Sequence, residues 1–254
     1  MEIDEILDKW FDVTFKMYQE KVHPPRQIDL LMMGVLRYSR HCSVTIFLLL
    51  SQQAKLSTMV LLRSYLELYL KFCWCLINDS TSQKSYQDSV YDRFKRWDYK
   101  RLLEDRKRIN KLLEITNDEY RLEICKAQKK AEDCIIEYKK QKLKCLPDIW
   151  QILKELSDSK QFQNYQEVIL KVYPDLYQKF NKAVHPDMEF IRKMVINTGN
   201  TYVCNCDVSE NIKELRLYLI SMSCDINKMI RNFYSWDSAE IQNEYNLIVK
   251  QLNC

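Results

Sequence analysis

The chain has 254 residues, a formal net charge of +4 and only 2 glycines, where average usage near 7% would give about 18. A dinucleotide-binding turn needs three glycines within six residues and a P-loop needs two close together, which Gly34 and Gly199 cannot supply. Nor do they provide for the tight hairpins of an all-β fold. With 46% apolar and 29% charged residues the balance is globular rather than disordered.

Taken in chain order, the pattern predicts helix after helix. Ile3, Leu7, Trp10, Phe11, Thr14 and Tyr18 recur at helical spacing. His23-Pro24-Pro25 ends that helix and opens a second, over about Arg26–Gln53, whose apolar run continues to Leu50. A third, over about Ser57–Asn78, is the most apolar, and these two form the expected core pair. Gly34 lies within the second helix, where it is expected to permit close helix packing.

After the capping-rich break at Asn78–Ser82 the character changes. From Arg93 to Cys145 there are 17 Lys+Arg against 10 Asp+Glu, a net of +7 that leaves −3 for the rest. Thr116-Asn117-Asp118 offers a turn and a cap near the middle. The expected structure is an antiparallel pair of long helices, with Leu102, Leu103, Ile109, Leu112 and Leu113 facing Ile124, Ala127, Ile135 and Ile136. Pro147 starts a helix with Trp150, Leu153 and Leu156, and two short helices, Tyr165–Val172 and Asp175–Val184, hinge at Pro174. Asn197–Asn200 with Tyr202-Val203-Cys204 is the only non-helical stretch, read as either a small hairpin or a long loop. A helix capped by Ser209 runs to about Phe233, Ser235–Asp237 breaks it, and a last helix follows. The fold class is therefore all-α, a helical bundle core with a projecting charged helical hairpin. Residues 1–254 read as one domain, with 86–146 as the projecting pair within it.

Ten cysteines are about 4% of the chain, below the ~8–10% of a disulfide scaffold. Met1–Asp12 is acidic and amphipathic rather than a secretory leader. Reduced thiols and a cytoplasmic location are expected, with no membrane span, because no run reaches about 18 uncharged apolar residues. Cys73-Trp74-Cys75 and Cys204-Asn205-Cys206 do not have the spacing of a structural zinc site. No metal and no cofactor is expected.

Chemistry must then come from side chains on helices. Of the three histidines, His23, His41 and His185, the last stands at a helix end before Pro186. It reads either as a general acid/base or as a helix-terminal residue favoured by the macrodipole. Arg63 and Glu67 are four apart on the most apolar helix. They are either a buried pair or part of a solvated stripe with Lys55, Met59 and Lys71. Arg37 and His41 form a second pair at the same spacing, more simply a polar stripe than a phosphodiester site.

The order of motifs carries a resemblance. Leu61, Arg63, Ser64 and Glu67 make L-x-R-S-x-x-E. Arg93-Phe94-Lys95-Arg96-Trp97-Asp98-Tyr99, the Trp150 helix, and Tyr173-Pro174-Asp175-Leu176-Tyr177 leading to His185-Pro186 follow it. The series resembles a family of bacterial helical proteins catalogued as a domain of unknown function, over roughly Met33–Met188. Asn181 stands where that family usually has serine. The string Asn181–His185 is also similar to the HEPN superfamily of helical, often dimeric ribonucleases of toxin–antitoxin and phage-defence systems, with motif R-N-x-x-x-H. The arginine position is Phe180, and the neighbouring Lys179 points about 100° away round the helix.

The resemblance implies a metal-independent ribonuclease or RNA-binding effector. His185 would be the acid/base, Arg63 the replacement phosphate ligand and Glu67 its orienter. Asn181, Lys182 and Lys179 would be substrate contacts, and a homodimer is implied. The competing expectation is an inactive interaction module that docks a protein partner through residues 93–145.

Overall fold

A computed structural model describes residues 3–52, 54–78, 85–115, 118–165, 172–184, 195–197, 202–204 and 212–253. Among these the fold is all-α, a helical bundle. The elements are α1 (Ile3–Lys21), α2 (Gln27–Ser51), α3 (Lys55–Cys75), α4 (Tyr86–Ile115), α5 (Asp118–Lys140), α6 (Ile149–Asp158), a 3₁₀ turn (Lys160–Tyr165), α7 (Tyr173–Val184), α8 (Ile212–Phe233) and α9 (Ala239–Asn253). Of the two readings of the non-helical stretch the structure takes the hairpin. β1 (Val195–Asn197) pairs antiparallel with β2 (Tyr202–Cys204), Asn197 opposite Tyr202. Thr116, Asn117, Ser209, His185 and all but the ends of the expected Tyr165–Val172 helix lie outside the described residues.

The helix ends follow local chemistry. Asp148 caps α6 by accepting from the Gln151 amide at 2.9 Å. Pro174 occupies the first turn of α7, where its missing N–H costs nothing. The glycine shortage shows at two C-termini. Lys142 after α5 and Ser235 after α8 take positive φ, 53° and 58°. There the amides of Leu143 and Trp236 reach back to the carbonyls of Tyr138 and Arg231, at 3.1 and 2.8 Å. This is the left-handed helix stop usually given to glycine.

The chain divides into two compact units, residues Met1–Phe72 with Tyr165–Cys254, and residues Cys73–Asn164. In the first, Ile6, Leu7 and Trp10 of α1 pack with Ile220 and Cys224 of α8 and Ile241 and Ile248 of α9. Full burial of each such large aliphatic side chain is worth about 1.5–3 kcal/mol. Hydrogen bonds fix the register of this core. Ser43 of α2, Tyr65 of α3 and Ser223 of α8 form a buried triangle of hydroxyls at 2.8–3.2 Å. One turn on, Thr14 of α1 donates to Asn227 at 2.9 Å and accepts from Arg231 at 3.1 Å, while Asn227 donates to the Ser223 carbonyl at 2.9 Å.

In the second unit α4 and α5 run antiparallel. Asp98 accepts from Tyr138, Arg106 pairs with Glu132, and Asn110 accepts from Gln128. Their core is Tyr99, Leu102, Ala131 and Ile135, with Leu103 and Tyr138 against it. The expected seam is thus shifted, because Leu112, Ala127 and Ile136 face solvent. Likewise α6 buries Ile152, Leu153 and Leu156, whereas Trp150 is half exposed. The expectation that Gly34 permits close helix packing is corrected, since nothing among the described residues approaches within 4 Å of where its Cβ would stand.

Two stability predictions follow. Ser235→Gly and Lys142→Gly should each raise stability by about 1 kcal/mol in denaturant unfolding, by relieving the left-handed φ. Asn227→Ala should lower it by about 1–3 kcal/mol, because it removes a buried amide that bonds both the Thr14 hydroxyl and the Ser223 carbonyl.

Candidate functional site

α3 carries Arg63, Glu67 and Lys71 on one face at successive turns. They are neither a solvated stripe nor fully buried. The Arg63 and Glu67 side chains keep 18% and 26% of their exposure, and Met59, one turn earlier, is in the core. Glu67 receives two cations. Arg63 Nη1 donates to Oε2 and Lys71 Nζ to Oε1, each at 2.5 Å. Burial pushes the Glu67 carboxyl up, but the Lys71 hydrogen bond and the charges of Lys71 and Arg63 outweigh it and hold the group below its ordinary value.

The other side of the Arg63 fork meets α7. Nη2 donates to the Tyr177 hydroxyl at 2.8 Å, and the guanidinium lies 4.9 Å from the centre of that ring. Burial raises the Tyr177 phenol, with Arg63 acting the other way. Arg63 Nε is a buried donor without an acceptor among the described residues. A second tyrosine fixes α7 on α3. Tyr173 donates to the Tyr69 hydroxyl at 3.3 Å, the two rings edge to face at 5.7 Å. Tyr69 in turn donates to Asp225 of α8 at 3.0 Å. Burial lifts the Asp225 carboxyl above its ordinary value, and neither the Tyr69 bond nor the charge of Lys228 cancels it.

These contacts locate the residues expected from sequence. Arg63 and Glu67 are joined and face α7. Asn181, one turn beyond Tyr177, is half-buried, and α7 ends at Val184, immediately before His185. His185 itself and the side chains of Lys179 and Lys182 lie outside the described residues. Phe180, at the arginine position of the R-N-x-x-x-H string, is 0% exposed, so that position belongs to the core. Sequence reading assigned no role to Tyr69, Tyr173, Tyr177 or Asp225. The four-residue spacing of the two tyrosines on α7 was an available signal, but nothing local connects them to α8. Arg37 and His41 lie elsewhere, exposed on α2 beside acidic residues of α1. Among the described residues no group of His, Cys, Asp and Glu is arranged to hold a metal ion.

The segment around Arg93 has a different use. Trp74, fully buried, has the guanidinium of Arg93 4.8 Å and that of Arg96 4.7 Å from its ring. Its indole donates to Glu155 at 2.6 Å, and Arg93 caps the Trp74 carbonyl at 3.1 Å. Arg96 also donates to the carbonyls of Lys144 and Cys145.

A family model described as a family of unknown function, DUF5677, matches residues 29–202. The chain belongs to the DUF5677 family. The DUF5677 match runs from α2 into β2 and so contains Arg63, Glu67, Tyr177 and His185. No curated protein and no solved structure matches the chain. Among the described residues, no helix of this DUF5677 member is long and apolar enough to cross a membrane.

Asp225 supplies a pH test. Because its folded value is raised, the fold disfavours the charged form, a penalty present above the folded value and absent below the unfolded one, about 3.9. Asp225→Asn keeps an acceptor for Tyr69 and removes the charge. Its melting temperature should exceed wild type at about pH 7, and the difference should vanish at about pH 3.

Proposed function

We propose that the chain is a HEPN-like protein that binds and cleaves RNA without a metal ion, at a site shared by α3 and the end of α7. One observation carries this reading. Arg63, braced by Glu67, is hydrogen-bonded to Tyr177 of α7, the helix that leads directly into His185. Tyr177, Asn181 and His185 are spaced by four in the sequence. With the motif arginine replaced by a core phenylalanine, the phosphate-binding charge comes from the neighbouring helix.

Arg63 suits that task. The guanidinium is a planar cation whose fork matches the geometry of a phosphate. In the proposed reaction His185 accepts the proton of a ribose 2′-hydroxyl as that oxygen attacks the adjacent phosphorus. The 5′-oxygen of the next nucleotide leaves and takes a proton from water, while His185 returns its own to solvent, giving a cyclic phosphate and a free 5′-hydroxyl. Arg63 offsets the charge gathering on the non-bridging oxygens. A role as effector in a toxin or phage-defence system rests on the HEPN resemblance.

A second reading, an inactive module that docks a protein through residues 93–145, draws support from the buried Phe180, because the motif arginine is absent. It is weakened where Arg93 and Arg96 are committed to Trp74. The purified chain decides between them. Cleavage of a mixed-sequence RNA should persist in EDTA and fall about 10²–10⁴-fold in His185→Ala. Arg63→Lys should retain part of it, since it keeps the charge and loses the fork. Equal RNA cleavage and equal growth inhibition by wild type and His185→Ala would remove the enzyme reading.

A further inference from the structure

The charge of the α4–α5 hairpin is one-sided. The two helices meet through Arg106 and Glu132, Asn110 and Gln128, and Asp98 and Tyr138. The residue that follows a seam position is turned about 100° from it, and in an antiparallel pair that step leads to the same broad side on both helices. Lysine occupies it repeatedly. Lys107 follows Arg106, Lys111 follows Asn110, Lys129 follows Gln128, and Lys139 with Lys140 follows Tyr138. All five are exposed, and none has an ion-pair partner among the described residues. Lys142 and Lys144, likewise exposed, extend the charge past the end of α5. The exposed acids described on this side are Glu104, Glu114 and Asp133, so seven lysines stand against three carboxylates.

The step backwards leads to the other side, which is balanced. Arg101 precedes Leu102 and Asp105 precedes Arg106. Arg101 bonds Asp98 at 2.8 Å and Asp105 at 3.0 Å, and Arg108 lies 3.9 Å from Asp105. Lys130, Glu123 and Glu137 share that side. The arginines of the hairpin are thus tied to the chain's own groups, and what it offers outward on one side is lysine. A protein partner would favour arginine and aromatic side chains at the contact, where lysine is under-represented. A lipid surface would require apolar anchors beside the charge, and among the described residues on this side only Ile136 is a large, exposed apolar one. Exposed ammonium groups on long stems, by contrast, suit a phosphate backbone and meet it without regard to base sequence.

We infer that the lysine side of the α4–α5 hairpin is an RNA-docking surface that holds the sugar–phosphate backbone independently of base sequence. The choice of RNA rests on the reading of α3 and α7 given above, whereas the charge asymmetry belongs to the hairpin alone. The hairpin then supplies affinity, and the chemistry stays with α3 and α7.

Fluorescence anisotropy of a labelled single-stranded 2′-O-methyl RNA, which cannot be cleaved through its 2′-oxygen, tests this on the full chain. Lys107→Gln/Lys129→Gln/Lys140→Gln should weaken binding about tenfold or more, with circular dichroism unchanged. It should also lower the slope of log affinity against log salt by about 2, since each phosphate contact to a single strand contributes about 0.7. Arg101→Gln/Arg108→Gln/Lys130→Gln removes the same charge from the other side and should change binding much less. Equal losses in the two variants, or no loss in the first, would overturn the inference. So would competition by poly-glutamate as strong as that by RNA, or tighter binding of phosphatidylserine vesicles than of RNA. Cleavage is read separately. The lysine variant should cleave a dinucleotide as wild type does, and a long RNA with KM raised and kcat unchanged. Binding through these lysines without any cleavage by wild type would remove the reaction proposed for α3 and α7 and leave the docking surface supported.

Discussion

The bundle depends on where α8 lets its neighbours stop sliding. Apolar contact between helices is non-directional, and α1, α2, α3 and α8 all present apolar surfaces. What fixes their register is the polar set Ser223, Asn227 and Arg231 on α8, with Ser43, Tyr65 and Thr14 as its partners. Buried hydroxyls and amides are costly when unpaired, so a slip of one residue in any of these helices would orphan several at once. This constraint sets the rotation of α3 about its axis. Tyr65 and Tyr69 reach α8, and that leaves Arg63 to meet α7.

The candidate site inherits its geometry from that rotation. A guanidinium, a carboxylate and an ammonium on one helix face would ordinarily be a surface ladder of small worth. Here the ladder is half covered, with Tyr177 of α7 held on its Arg63 end, while Tyr173 of α7 bonds to Tyr69 of α3. The guanidinium is thereby held in one orientation. Cation–aromatic contact does comparable work in the second unit, where Arg93 and Arg96 secure Trp74 rather than present charge to a ligand. Burial pulls the Arg96 value downward, as expected for a cation drawn into structure.

The all-α class, the helix order and most helix limits were legible in sequence, because periodicity, proline placement and capping residues are local. The pairing of α4 with α5 was legible too, but its seam was not. Leu112 and Ile136 carry the right periodicity yet are exposed, since which part of an apolar stripe is covered depends on how far the partner reaches. The use of Gly34 was misread for the same reason, as periodicity shows that a helix face is apolar and not whether the same chain covers it.

The sequence alone determined that there is no glycine cradle for phosphate, that helices must supply any site, and that Arg63 and Glu67 share a face. Two glycines also forced Lys142 and Ser235 into the left-handed stops that end α5 and α8. Only the tertiary structure decided that Phe180 is a core residue, that Tyr177 is the partner of Arg63, and that Tyr69 hands its proton-donating bond to Asp225 on a helix 156 positions away. Those outcomes depend on which helices become neighbours. That is settled by the fit of whole faces and the pairing of buried polar groups, and neither is written in any local stretch of the chain.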